Sequence, residues 1–516
     1  MTGTITPYRS ETKPGRADFP SLVRAEWTKF RTVRGWTVGA LVAVLVMMAL
    51  GLVATSASTP QGGRAEALAT GPGGEAVNDS LYFVHQRLSG DGSITVPVTS
   101  LTGRVDFAGT ARDRVQSWAK AGLIVKKDLT QGSSYAAVMI TGAHGVRMQY
   151  DYTHDIAGTR GAVTASTPRW LRLVRAGDTI TTYDSADGTR WSKIGSARPA
   201  GLPGTVQVGL FVTSPQNMEA ATPGATMDPA TATAVFGAAA FDGQWSSGAW
   251  KGEQLGRAGT SGSYSPRLPE AGYTEEQGGF TVTGAGDIAP VVGGPALGNG
   301  FSIENFLVGT FAGAIAMMVV ATMFVTSEYR RGLIRTTLTA SPRRGRVLVA
   351  KALVIGSVAF VAGLLAAAFM VKVGEPRARD NGFHVFPVQG ATELRVIVGT
   401  ALLLAVAAVL ALAVGALLRR SAAAIAGVVV LLVLPYVLAI VSVLPDGASN
   451  WLLRITPAAG FAIQQTVPRY DFVANVYTPS TGYYPLSPWA GLAVLCGWAA
   501  LALGAAGVLL RRRDAA

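Results

Sequence analysis

The sequence predicts an α-helical membrane protein with six transmembrane helices and an all-β antiparallel sandwich or jelly roll inserted between the first and second of them. Three observations predict it. Six apolar runs of 20–23 residues contain no Asp, Glu, Lys or Arg. Basic residues collect beside alternate ends of those runs. One long interval between two runs is built instead of short alternating stretches. Composition agrees. Of 516 residues, 49% are hydrophobic and 15% charged, with a mean hydropathy of +0.33, whereas a soluble domain carries about 25% charged residues.

The chain opens with residues 1–35, which hold Arg9, Lys13, Arg16, Arg24, Lys29, Arg31 and Arg34. Leu22, Trp27, Phe30 and Val33 recur at helical spacing while most of the cations fall elsewhere, the pattern of an amphipathic helix lying along a membrane surface. The same cations also serve as a topogenic signal. The first span is Trp36–Ala57. Its long leader, its length and the lack of a nearby A-x-A site all speak against a cleaved signal peptide.

Residues 58–305 follow. Ser93–Leu101, Ala121–Val125, Tyr135–Thr141, Val146–Tyr152, Trp170–Arg175, Thr179–Tyr183 and Val206–Thr213 read as strands. Asp187-Gly188 marks a turn between two of them. Gly62–Gly74 and Ser261–Gly300 read as linkers or loose loops.

The remaining spans are Phe306–Thr326, Ala352–Val371, Val396–Leu418, Ala422–Leu444 and Pro488–Leu510. At about 1.5 Å rise per residue each covers about 30 Å, enough to cross a hydrocarbon core. With both termini cytoplasmic, the inner segments hold 19 basic residues and the two short outer loops six. The net charge of +13 divides into +14 for the inner segments, +1 for the short outer loops and −2 for residues 58–305. The positive charge therefore forms collars along the inner leaflet, and no nucleic-acid partner is expected. The lone Cys496 excludes an internal disulfide, and no paired-His motif or GxxxxGK[ST] loop occurs. No metal site and no cofactor are expected in this chain.

Three features carry a family resemblance. They are Ala25–Arg34 (AEWTKFRTVR), Ser327–Leu338 (SEYRRGLIRTTL) continuing through Pro342 to Lys351, and the span layout with its Arg419-Arg420 turn and terminal Arg511–Arg513. Together they resemble a type-2 ABC exporter permease of the actinobacterial kind. The resemblance implies an elbow helix at Glu26, Trp27, Lys29 and Arg31 that touches an ATPase. It also implies a coupling helix within the cytoplasmic loop 327–351, with Glu328, Gly332, Arg335, Thr336, Thr337 and Arg344 as coupling residues. Glu328 is expected to pair with Arg331 or Arg335, and Pro342 to end the helix. The implied partners are a separate ATP-binding subunit, which holds the ATP and Mg, and a second copy or sister permease in the bilayer. An amphiphilic or envelope-related cargo suits the uncharged spans.

Residues 82–86, 88–94, 119–125, 168–178, 187–191 and 208–214 resemble the concanavalin-like jelly-roll domain found beside β-xylosidase-type glycosidases and in glycan-binding modules. One departure stands out. The opening G-F-x-V-x-G-x-G-D-I pattern of such domains occurs late, at Gly279–Ile288, and Trp250–Gly256 also resembles an opening segment. This points to a circular permutation in which residues 245–289 complete the sheet. The rival reading is a second, truncated repeat. No pair of carboxylates stands out by spacing as a glycosidase acid pair. Tyr150, Tyr152, His154, Trp170, Tyr183 and Trp191 are candidates for an extracellular glycan-binding platform, and core packing is the competing reading for each aromatic. A membrane-anchored glycan or envelope sensor without transport is the alternative function.

Overall fold

The computed structural model describes residues 18–56, 68–161, 163, 167–220, 225–246, 248–256, 267–292, 301–330, 344–381, 383–388, 390–441, 443–475, 477–479 and 482–512. Helix α1 (Phe19–Thr32) starts where Asp18 accepts the backbone N–H of Ser21, with Pro20 in the first turn. Helix α2 (Arg34–Ser56) carries the first apolar run. After the β domain come a one-turn helix α3 (Ile303–Phe306), then α4 (Thr310–Arg330), α5 (Arg344–Asp380), α6 (Gly390–Leu418), α7 (Ser421–Ile440), α8 (Asp446–Ile455) and α9 (Pro488–Arg512). Six of these are long and apolar enough to cross a membrane: α2, α4, α5, α6, α7 and α9.

The helices differ from the apolar runs in instructive ways. Helix α5 has 37 residues, about 55 Å of helix, so it outlasts its apolar core at both ends. Helix α7 stops at Ile440, and a polar-ended helix, α8, follows almost at once. Between α8 and α9 lies a 3-10 segment, Pro457–Gln464, whose eight residues are all buried. None of this inserted structure was expected from sequence. The α6–α7 corner turns at Arg419, whose left-handed backbone (φ +55°) reverses the chain in two residues. Its guanidinium lies over the Tyr329 ring.

The β domain is organised by one 27-residue strand, Leu81–Phe107. Its first part pairs antiparallel with Thr205–Thr213 on one side and Lys251–Leu255 on the other. Its middle pairs with Arg169–Ala176 and Ala240–Trp245, and its last part with Ala230–Phe236. Gly90 (φ +70°), in the bulge between Ser89 and Gly92, and Gly243 (φ +111°), paired with Gly92, supply the backbone freedom where the strand passes from one set of partners to the other. From Thr205–Thr213 the sheet continues through strands 120–126, 135–141, 146–150 and 154–157. From Arg169–Ala176 it continues through 179–185 and 192–197. Val84, Leu123, Val138, Leu171, Leu173, Val208 and Leu210 face each other in the buried core. Gly279–Gly284 pairs with residues 232–236, and Ile288–Pro290 with strand 76–79.

The opposite face of strands 120–126 and 135–141 is also covered. Phe83, Ile124, Tyr135, Tyr152 and Phe211 pack under Val77, Leu255 and Ile288. Lys126, wholly buried there, reaches Asp79 at 2.7 Å.

Candidate functional site

At the end of the bundle that carries α1, four charged side chains meet. Lys351 Nζ, on the second turn of α5, lies 2.7 Å from Glu26 Oε2 on α1 and 2.7 Å from Glu328 Oε1 on the last turn of α4. Lys29 Nζ, one helical turn from Glu26, lies 2.8 Å from Glu26 Oε1 and 3.1 Å from Glu328 Oε1. Two ammonium groups thus alternate with two carboxylates, and three helices are tied by one ring of charge. The Lys351, Glu26 and Glu328 side chains are 1%, 0% and 6% exposed, whereas that of Lys29 is 37% exposed. Burial disfavours the charged form of Lys29, but Glu26 and Glu328 outweigh it and raise its pKa.

Aromatic packing brings the partners together. Phe30 of α1 meets Phe324 of α4 edge-on, and Trp36 meets the same ring at 5.0 Å. Lys351 Nζ sits 4.7 Å above Phe324. Opening such a ring would strand buried charges, so it favours one closed arrangement in which the three helices move together. It is therefore suited to transmit a movement of α1, or of the chain between α4 and α5, into two transmembrane helices.

Of the residues singled out from sequence, Glu26, Lys29 and Glu328 lie in this ring. Trp27 is 45% exposed and Arg31 is exposed, so both point away from it. Arg344 donates to the carbonyl of Leu510, joining the start of α5 to the end of α9. Gly332, Arg335, Thr336 and Thr337 lie outside the described residues, as do Arg331 and Pro342. Among the described residues the partners of Glu328 are lysines. Lys351 was missed as a site residue. In sequence it is one more cation bordering an apolar run, and only the fold brings it to Glu26, 325 residues away.

At the opposite end of the bundle the 3-10 segment is wedged between α6 and α9. Gln464 donates to Thr310 Oγ1 at 2.9 Å and to Thr400 Oγ1 at 3.0 Å, linking α4 to α6. Glu304 of α3 accepts from Thr466 just beyond it, and burial raises the Glu304 pKa against that hydrogen bond. The loop then packs on the β domain: Val467, Phe472, Val473 and Tyr483 form one buried cluster with Trp118, Ala289 and Val292.

Trp118 stacks on His144 at 3.8 Å, with Arg147 over its ring. Burial first, and then Arg147, hold the His144 pKa below its usual value, with Asp155 acting in the opposite sense. The unfolded chain therefore binds this proton first. The stabilisation by neutral His144 is complete above about pH 6.5 and is lost as pH falls through the folded-state value. The melting temperature of the full chain should consequently fall less between pH 8 and 5.5 in His144→Phe than in the parent.

The six aromatic and histidine candidates do not form one platform. Tyr152 is wholly buried, with its hydroxyl 2.8 Å from Asp79 Oδ2, so it fills the core and offers no ring face to a ligand. Tyr150 stacks on His154 at 4.3 Å. Trp170 and Tyr183 share the outward face of paired strands, opposite Ser185 and Arg172 in register. The Arg172 guanidinium lies 4.1 Å above the Trp191 ring. Asp187 forms the expected turn, accepting from the backbone of Thr189 and Arg190, with Gly188 at φ +72°.

A family model described as ABC-2 family transporter protein matches residues 22–515. No curated protein matches the chain. Among solved structures, a functionally unknown protein from Saccharomyces cerevisiae is similar at 15% identity, over 35% of this chain and 84% of its own, with a TM-score of 0.22. Scytalido-glutamic peptidase with a transition-state analog inhibitor is similar at 9% identity, over 42% of this chain and 100% of its own, with a TM-score of 0.26. A mutant of the GH43 protein BlXynB from Bacillus licheniformis is similar at 15% identity, over 24% of each chain, with a TM-score of 0.17.

Proposed function

The chain belongs to the ABC-2 family of transporter proteins, and from that premise we propose that it is the membrane-spanning permease subunit of an ABC exporter, driven by a separate ATP-binding subunit. The observation that carries the coupling part of this reading is the ring of Glu26, Lys29, Glu328 and Lys351. It joins the helix that precedes the first span to both borders of the loop 327–351. A partner that pulls on either element moves α4 and α5 together.

In this reading the α1 end is cytoplasmic, in keeping with 19 inner basic residues against six outer ones, and the β domain is extracellular. ATP and Mg reside on the partner. A second copy or a sister permease completes the pathway, and the uncharged spans favour an amphiphilic or envelope-related cargo. Strand Lys251–Leu255 lying directly on Leu81–His85 supports a permuted order for the β domain.

A second reading, a membrane-anchored glycan or envelope sensor without transport, draws on the outward row of Trp170, Tyr183 and Trp191 with Arg172. Co-purification from native membranes separates the two. The permease reading expects an ATP-binding subunit to accompany the chain, and expects Arg335→Glu to lower ATPase activity in the complex without loss of membrane insertion. A chain that purifies without any ATPase, yet is retained on envelope polysaccharide, would establish the sensor instead.

A further inference from the structure

The β domain and the bundle are joined by more than the chain entering and leaving. From Thr400 and Thr310, inside the spans, a continuous set of contacts runs outward through Gln464 to Thr466 and Glu304. It continues through Val467, Phe472 and Tyr483 to Trp118 and Val292. From there Lys120, wholly buried, reaches Asp287 at 2.6 Å and the Ile288 carbonyl at 2.7 Å, fixing the returning strand to the sheet. Its steps are hydrogen bonds, packed side chains or the one- to two-residue stretches of chain between them, so a shift at one is felt at the next.

The segment at the inner end of this path is packed on every side. All eight residues of Pro457–Gln464 are buried, and the Phe461 ring stacks on Tyr436 of α7 at 3.9 Å. A 3-10 segment has poorer hydrogen-bond geometry than an α-helix and is short in most proteins. Its place here therefore depends on what holds its two ends. One end follows α8; the other is the loop seated on the β domain.

We propose that the described loop residues between 465 and 484 are the docking surface for the chain's own β domain, and that this seating keeps the 3-10 segment as a plug in the mouth of the bundle, with Gln464 as the positioning residue that bolts α4 to α6. The β domain is then a control element of the pathway. A ligand or envelope surface that lifts it off Phe472 and Tyr483 releases the plug.

This inference deepens the permease reading, but its test needs neither nucleotide nor cargo, so it stands or falls separately. Ala458, wholly buried in the plug, becomes the reporter. Ala458→Cys is made in the full chain with Cys496, its single cysteine, replaced by alanine. A membrane-impermeant maleimide is then added to the protein in lipid nanodiscs. The parent should label slowly. Trp118→Ser should raise the labelling rate about tenfold or more, since local opening is governed by the contacts that close it. Trp118→Phe, which keeps a stacking ring, should restore slow labelling, and this rescue rules out general misfolding. Gln464→Ala should open the plug with Trp118 intact. Equal labelling in the parent and Trp118→Ser would overturn the proposal, as would fast labelling of the parent. A Trp118→Ser effect that Trp118→Phe fails to rescue would overturn it as well.

Discussion

Lys351→Met should destabilise the α1 end of the bundle by about 3–5 kcal/mol, the cost typical of removing one partner from a buried ion pair. Lys351 is 1% exposed and bridges Glu26 and Glu328, both nearly or fully buried. Without it, two carboxylates face each other with only half-exposed Lys29 between them. Lys29→Met should cost far less, because water reaches Lys29 and screens its part of the ring. Thermal unfolding of the purified chain, read beside tryptic cleavage after Arg24 and Arg31, which both variants keep, measures both. If burial sets the cost, removing the stranded charges as well, in Glu26→Gln/Glu328→Gln/Lys351→Met, should recover much of the loss. Equal losses for Lys29→Met and Lys351→Met would show that the ring is solvent-screened and unfit to couple helices.

Gly491→Ala and Gly497→Ala, the same substitution less than two turns apart on α9, should have opposite signs. A Cβ on Gly491 would lie 2.2 Å from the carbonyl oxygen of Ala459 and 2.8 Å from Ala462 Cβ, both in the 3-10 segment. Backbone cannot step aside as a side-chain tip does, so the segment or the helix must move. Overpacking of this kind costs about 1–3 kcal/mol. A Cβ on Gly497 meets nothing within 4 Å, and there the helix propensity of alanine should stabilise by up to about 1 kcal/mol. Paired melting curves decide the matter. A neutral Gly491→Ala would mean that the segment does not pack against α9 as closely as this.

Much of the architecture is legible in the sequence because its signals are local. An apolar run of 20 or more residues free of charge can satisfy its backbone in lipid only as a helix, and the six runs fall within the six long helices apart from the first few residues of the second and the last few of the first and fifth. Short apolar stretches bounded by turn residues, such as Tyr135–Thr141 and Val206–Thr213, likewise locate strands. Other features are set by contacts distant in sequence. Leu88–Ser93 (LSGDGS) is rich in turn-forming residues, yet the strand continues past a bulge at Gly90 because partners on either side of the bulge hold it in the sheet. Pro457–Gln464 is rich in Ala and Gly and has neither helical nor strand period; only its packing against α6 and α9 gives it a conformation. Glu26 sits in a basic amphipathic stretch where a carboxylate is expected to face water. It is buried because Lys351 lies on the other side of it.

The long strand Leu81–Phe107 has a further consequence for how the protein is made. Its residue His85 pairs with Lys251, and Leu101 with Ala234. At about 5–20 residues per second, the ribosome needs on the order of 10–30 s to deliver the 166 residues that separate His85 from Lys251. Throughout that interval the first helix has already emerged, and the strand behind it exposes a long unpaired edge. Contacts this distant make closure slow even after synthesis. Assembly of the bundle is thus timed by the β domain, since helices α4 to α9 emerge only after its last strand.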